Sequence, residues 1–168
     1  IRVVSVEEFI SIKIPKREML LSPCLPTQGL ALLYAKRGVG KTHIALGISY
    51  AVASGGSFLR WNAPVCKKVL YIDGEMPAVL MQERLNKIFS AEINNKPPAG
   101  FLNFITPDLQ DEHMPDLSSQ KGRDVIDEFV ADNDLIVVDN ISTLFRCSTE
   151  NEAESWAPVQ SWALELRR

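Results

Sequence analysis

The residues best suited to chemistry are Lys41 and Thr42 at the end of AKRGVGKT, Glu75 in YIDGEMP, and Asp139 at the end of LIVVD. Lys41 and Thr42 close a turn, residues 35–40, that holds Gly38 and Gly40 beside the basic Lys36 and Arg37. The spacing follows the phosphate-binding pattern G-x-x-x-x-G-K-[ST], with Ala35 in place of the first glycine. Such a loop turns its own N–H groups and the free N–H groups of the next helix toward one spot, where the helix dipole favours an anion. Lys36, Arg37, Gly38, Val39, Gly40, Lys41, Thr42 and His43 are therefore the candidate phosphate-binding residues. Lys41 acts there as a point charge on the β- and γ-phosphates, and the Thr42 hydroxyl is placed to ligate Mg²⁺. Alanine is the mildest replacement for the first glycine, but it narrows the backbone conformations open at that position.

A nucleoside triphosphate brings its own reactive group, so the protein must hold the phosphates, place the metal and orient a nucleophile. Asp139 ends an apolar strand and is the expected anchor for Mg²⁺ through a metal-bound water. A buried strand ending in Asp is common by itself; paired with a phosphate loop far upstream it becomes specific. Glu75, just past the tip of another strand, is the candidate base that polarises the attacking water. The bland alternative for Glu75 is a helix-start charge favoured by the dipole. Asp73 is the rival carboxylate, because the period of two along a strand puts it on the same side.

These groups need elements to hold them. The apolar run 30–34 (LALLY) reads as a buried strand leading into the loop, and an apolar helix begins near Lys41 and stops at Gly55–Gly56. Residues 68–73 read as a second strand, followed by a helix over 79–89 with Pro77 at its start. A polar loop over 94–100 leads to a third strand, 101–105. Residues 106–121 are acidic, contain His113, and lack periodicity; a loop of that length is more often functional or mobile than structural. A helix over 123–131 and a strand over 134–139 follow. The last helix, 150–168, carries Trp156, Val159, Trp162, Ala163 and Leu166 at helical spacing, and Pro158 must sit in its first turn or kink it. Strands alternating with helices predict an α/β fold with a mostly parallel sheet, helices on both faces, and ligands at the carboxyl ends of the strands. Residues 1–29, interrupted by Pro15, Pro23 and Pro26, form a lead-in that wraps the edge of a core spanning 30–168; a short helix starts near Ser5. Its basic Lys13, Lys16 and Arg17 read as a solvated face before a contact to a subunit or nucleic acid.

The 168 residues suffice for one domain with a core. Apolar residues make up 46% and charged residues 23%, and the net charge is −3, so there is no global basic footprint for nucleic acid. Cys24, Cys66 and Cys147 are few and far apart, without metal-ligand spacing; they read as reduced thiols of a cytoplasmic protein. Glu7 and Glu8 interrupt the first apolar stretch, which therefore does not read as a signal peptide, and no window approaches the roughly 18 apolar residues of a membrane span. A start at Ile1 and a stop at Arg167–Arg168 within a helix suggest a piece of a longer protein.

YIDGEMP resembles the strand of RecA-like ATPases that ends in the catalytic glutamate, and GEM with Pro77 and Arg84 resembles the same stretch of DnaB-type replicative helicases. LIVVDNISTLFR and ENEAESWAPVQSWALELRR resemble the second half of the RepA-like hexameric ATPases of plasmids and mobile elements. The likeness runs from about Leu20 to the last residue. It implies a three-layer RecA-like P-loop NTPase fold, with ATP and Mg²⁺ as cofactors. Lys41 and Thr42 then bind phosphate and metal, Glu75 activates water, Asp139 supports the metal, and Asn140 senses the γ-phosphate. It further implies a hexamer acting on single-stranded DNA as a helicase motor. In that family a histidine sensor, an arginine finger and DNA-facing loops follow the last helix, and the site lies between subunits. The chain is thus expected to be truncated at its C-terminus and to bind nucleotide better than it hydrolyses it.

Three other functions compete with this one. A nucleotide-gated assembly switch would have no need of Glu75. A small-molecule kinase would want an arginine-rich lid, whereas 106–121 is acidic. A GTPase would carry an N-K-x-D motif, which does not follow the loop.

Overall fold

In the computed structural model, which describes residues 1–92, 95–146 and 152–166, the chain opens on a short exposed helix, α1 (Val6–Ser11). Ser5 caps it by accepting the Glu8 N–H at 3.1 Å. Lys13, Lys16 and Arg17 are exposed. Two small antiparallel pairs bracket the first long helix, α2 (Lys41–Ser54): β1 (Met19–Leu21) with β2 (Leu25–Pro26), and β3 (Ser57–Phe58) with β4 (Trp61–Asn62). The pairs join where Ser22 and Asn62 exchange backbone hydrogen bonds of 2.7 and 3.2 Å. Then come β5 (Val69–Asp73), α3 (Ala78–Ala91), β6 (Leu102–Ile105), a 3-10 turn (Pro107–Leu109), α4 (Gln120–Ala131), β7 (Leu135–Asp139), α5 (Ile141–Leu144) and α6 (Glu152–Glu165).

The central sheet is parallel, in the order β6-β5-β7. Alternation along the strands divides its residues between two cores. Val69, Leu102, Leu135 and Val137 pack with Val52 and Ala53 of α2 and with Leu20 and Leu21 of β1. Tyr71 on the same face packs with Leu46 of α2, Met81 of α3 and Phe104 of β6. Leu70 and Ile72 point the other way, onto Ile126 and Val130 of α4, Leu144 of α5, and Val159 and Trp162 of α6. Helices on both faces of a parallel sheet make the three layers of an α/β fold, as the alternation of elements leads one to expect. β5 is buried along its whole length, which is why its sequence is apolar at successive positions up to Asp73.

The run 30–34 departs from expectation. It forms no strand, and Leu30, Leu32, Leu33 and Tyr34 are 46–89% exposed. Apolar composition alone does not make a strand; a ladder partner is needed. Among the described residues this run has none, and β7, all of whose residues are half-buried, is an edge strand of the three-stranded sheet.

Residues 106–121 also differ, because they are built into the structure. Met114 and Leu117 are buried in the core, the Leu117 N–H donates to the Leu144 carbonyl at 2.8 Å, and α4 already begins at Gln120. The Asp116 carboxylate accepts the backbone N–H groups of Ser118 (2.9 Å) and Arg146 (3.0 Å). Burial alone would raise its pKa, but these donors and the Arg146 charge hold it below the ordinary aspartate value. His113 is exposed. Pro158 falls beyond the first turn of α6, and Val159 and Trp162 of the expected stripe are buried. Asn94, Cys147, the outer ends of the expected last helix (150–151 and 167–168) and the Trp156 side chain lie outside the described residues. No helix among the described residues is long and apolar enough to cross a membrane.

Candidate active site

Parallel register sets Asp73 beside Asp139 at the carboxyl ends of β5 and β7, on one face of the sheet. The two strand tips are tied by the Gly74 N–H, which donates to the Asp139 carbonyl at 2.8 Å. Glycine is required at 74 by close approach: a Cβ there would lie 2.2 Å from Thr143 Oγ1 and 2.8 Å from Leu144 Cγ. Leu144 is fully buried and cannot withdraw. Gly74→Ala is therefore expected to cost roughly 1–3 kcal/mol by overpacking, read as a lowered midpoint in urea unfolding with an unchanged slope.

Beyond Gly74 the chain makes a tight turn into α3. The Asp73 carboxylate accepts the Met76 N–H at 2.9 Å, and Asp108 accepts the Ala78 N–H at 2.7 Å. Both ends of the turn are thus pinned, and Glu75 stands between them, exposed. The two rival carboxylates separate on this point. Asp73 is 1% exposed and engaged with the backbone, so it shapes the turn, whereas Glu75 is free to meet a ligand.

Burial, together with the charges of Asp139 and Glu75, pushes the Asp73 pKa up to about 6, against the pull of the Met76 and Glu75 N–H groups. A folded-state pKa above the unfolded one stabilises the fold fully below pH 4 and loses that contribution as the pH rises through about 6. Asp73→Asn keeps an oxygen for the Met76 N–H and removes the ionisation. The variant is expected to gain up to about 3 kcal/mol on the wild type at pH 7. Denaturant titrations between pH 4 and 7 should show the gain shrinking toward pH 4; a gap independent of pH would contradict this account.

The loop before α2 is built for close backbone approach. Gly38 and Gly40 have φ of 83° and 95°, in the left-handed region that glycine tolerates. Ala35 is not among the residues with positive φ, so alanine is accommodated where the pattern has its first glycine. Side chains cap α1, α4 and α5 (Ser5, Ser119 and Asn140), but α2 starts at Gly40 with no side-chain cap and no acidic residue in its first turn. Its first N–H groups and its positive dipole end are left to an anion. The Lys41 ammonium donates to the carbonyls of Ala35 (2.8 Å) and Lys36 (3.1 Å), folding back over the same loop. Lys36, Arg37, Gly38, Val39 and His43 are exposed around it.

Thr42, Asp73, Glu75, Met76, Pro77, Arg84 and Asp139 line one cavity of about 220 Å³. Asn140, next in sequence to Asp139, is not among the residues that line it and caps α5: its Oδ1 accepts from the Thr143 N–H at 3.1 Å and from the Ser142 and Thr143 hydroxyls at 2.5 and 3.2 Å, so its amide nitrogen is the group left to donate. Sequence reasoning gave no role to three residues here. Arg84 brings a cation to a cavity lined by three carboxylates. Asp108 holds the start of α3. The Tyr71 hydroxyl donates to Asp139 Oδ2 at 2.7 Å. Burial, and then the bond to Asp139, raise the Tyr71 pKa, so it remains a donor at any working pH. Of the phosphate-loop candidates Thr42 lines this cavity, beside three acids of which Glu75 is exposed, whereas residues 36–41 and His43 are not among its lining residues.

The family model described as an AAA domain matches residues 1–168. No curated protein matches the chain. The parallel sheet between helical layers fits an α/β RecA-like P-loop fold, the class expected from the sequence.

Proposed function

We propose that this chain, which belongs to the AAA domain family and is thereby a P-loop ATPase domain, binds ATP with Mg²⁺ between the start of α2 and the carboxyl edge of the sheet and hydrolyses it with Glu75 as general base. One observation carries this reading: Thr42, Glu75 and Asp139, from segments far apart in sequence, line a single cavity.

The residues present fit such a ligand. Mg²⁺ takes few protein oxygens, keeps several waters and shares phosphate oxygens, and the Thr42 hydroxyl and the Asp139 carboxylate are donors of that kind in one cavity. When bound, Mg²⁺-ATP supplies the γ-phosphoryl group with part of its charge neutralised. The chain's own groups do the rest. Residues 36–43 hold the phosphates, and Lys41 exchanges the carbonyls of Ala35 and Lys36 for phosphate oxygen. Asp139 holds a metal-bound water, the Asn140 amide donates toward the terminal phosphate, and Glu75 takes the proton of the attacking water.

The finer reading is the motor of a RepA-like replicative helicase, hexameric and working on single-stranded DNA. The likeness of YIDGEMP, LIVVDNISTLFR and the last helix to those proteins supports it. The test is binding of a fluorescent ATP analogue and steady-state phosphate release, each with and without single-stranded DNA, with assembly followed by sedimentation. Turnover stimulated by DNA supports the motor. Tight binding that changes assembly without turnover under any condition would replace it with a nucleotide-gated switch.

A further inference from the structure

On the reading of Asp139 as a support for Mg²⁺, we propose that Tyr71 is a positioning residue for it: the Tyr71 hydroxyl fixes the carboxylate through Oδ2 and leaves Oδ1 for a metal-bound water. The bond is 2.7 Å long and runs between adjacent strands, from the middle of β5 to the tip of β7. Tyr71 is fully buried, and its ring is held on three sides, by Leu46 of α2, Met81 of α3 and Phe104 of β6, whose ring centroid is 5.5 Å away. A ring wedged in this way keeps its hydroxyl at one point. Asp139, only half-buried, has no other side-chain donor among the described residues. Its orientation toward the cavity therefore depends on Tyr71.

The packing gives this bond a second consequence. Leu46 belongs to the helix that opens with Lys41 and Thr42, and Met81 belongs to the helix that follows Glu75. Tyr71 is thus the contact through which the phosphate loop, the Glu75 turn and the metal side of the cavity share one buried side chain. A tyrosine that only filled the core would need a partner for its hydroxyl, and a main-chain carbonyl would serve. Here the partner is a carboxylate of the site itself.

Groups that orient metal-binding residues typically govern affinity by 10- to 100-fold. Tyr71→Phe removes the hydroxyl and keeps the ring. Binding of Mn²⁺ in the presence of a fluorescent ATP analogue is measured by electron paramagnetic resonance, and binding of the same analogue in EDTA by fluorescence. The expected result is Mn²⁺ affinity about 10-fold weaker in Tyr71→Phe, with metal-free nucleotide affinity unchanged, which also reports an intact fold. Tyr71→Leu is the second hydroxyl-free variant should Phe fold poorly, and it should show the same split. Adding Tyr71→Phe to Asp139→Asn should cost nothing further. If Asp139→Asn loses Mn²⁺ and Tyr71→Phe does not, the positioning role is overturned and the metal reading stands. If neither variant changes Mn²⁺ binding, Asp139 does not support the metal and both fall together.

Discussion

Glu75→Gln is expected to lower the rate of ATP hydrolysis by about 10²–10⁴-fold while leaving nucleotide affinity within a factor of about three, because a positioned general base contributes to the transition state and little to ground-state binding. The substitution keeps the size of the side chain and removes only its basicity. Among the described residues the Glu75 side chain makes no hydrogen bond that holds the fold; the turn is pinned through backbone N–H groups by Asp73 and Asp108. The melting temperature should therefore stay where it is. Single-turnover phosphate release, measured beside equilibrium binding of a fluorescent ATP analogue, separates the two effects. Loss of binding in parallel with loss of rate would mean that Glu75 holds the ligand and does no proton transfer. The same pair of measurements on Asp73→Asn tests the division of labour between the carboxylates. A residue that shapes the turn should tolerate an amide that still accepts the Met76 N–H, so its rate should fall far less than that of Glu75→Gln.

How much of this site can be read from the sequence depends on what each residue needs from its surroundings. β5 and β7 are legible because a strand covered on both faces must be apolar at successive positions, and an acid can appear only at its end. Periodicity then puts Asp73 and Glu75 on one side, but it says nothing of burial. That is decided by β7 and α5, which lie across the sheet tip from them. The run 30–34 is misread for a related reason: its composition registers a preference for burial, whereas a strand also requires ladder bonds to a neighbouring strand, which this run does not make among the described residues. Tyr71 is invisible as a functional residue, since an aromatic side chain inside an apolar strand reads as core and its hydroxyl partner comes from a distant segment. Asp108 and Asp116 are hidden by the opposite effect. They sit in an acidic, aperiodic stretch whose anchoring becomes apparent only when α3 and the segment after α5 are seen beside it. A chance alternation of acids and prolines would read the same way.

Lys41→Ala is expected to weaken binding of a fluorescent ATP analogue by roughly 10- to 100-fold, the effect of losing one or more charge-assisted hydrogen bonds of about 1.5–3 kcal/mol. Affinity for the triphosphate should suffer more than affinity for the corresponding nucleoside, because the ammonium meets only the phosphates. The fold should hardly notice. Lys41 bonds to the Ala35 and Lys36 carbonyls, which lie on a largely exposed loop where water can replace it. A change in stability under about 1 kcal/mol is therefore expected, read from urea unfolding. Lys41→Arg sharpens the test. It keeps the charge, but a forked, planar head on a longer stem cannot occupy the position of a compact ammonium between loop carbonyls and phosphate. Partial recovery of affinity is expected, and its size divides the general attraction of a cation from the geometry of this one. Raising ionic strength should erode the advantage that Lys41→Arg holds over Lys41→Ala, since whatever the misplaced charge contributes acts at long range and is screened. The wild-type contact, made directly and partly out of water, should lose less. If instead Lys41→Ala binds the triphosphate as well as the wild type does, the loop before α2 is an ordinary glycine turn, and the phosphates must be sought elsewhere in the molecule.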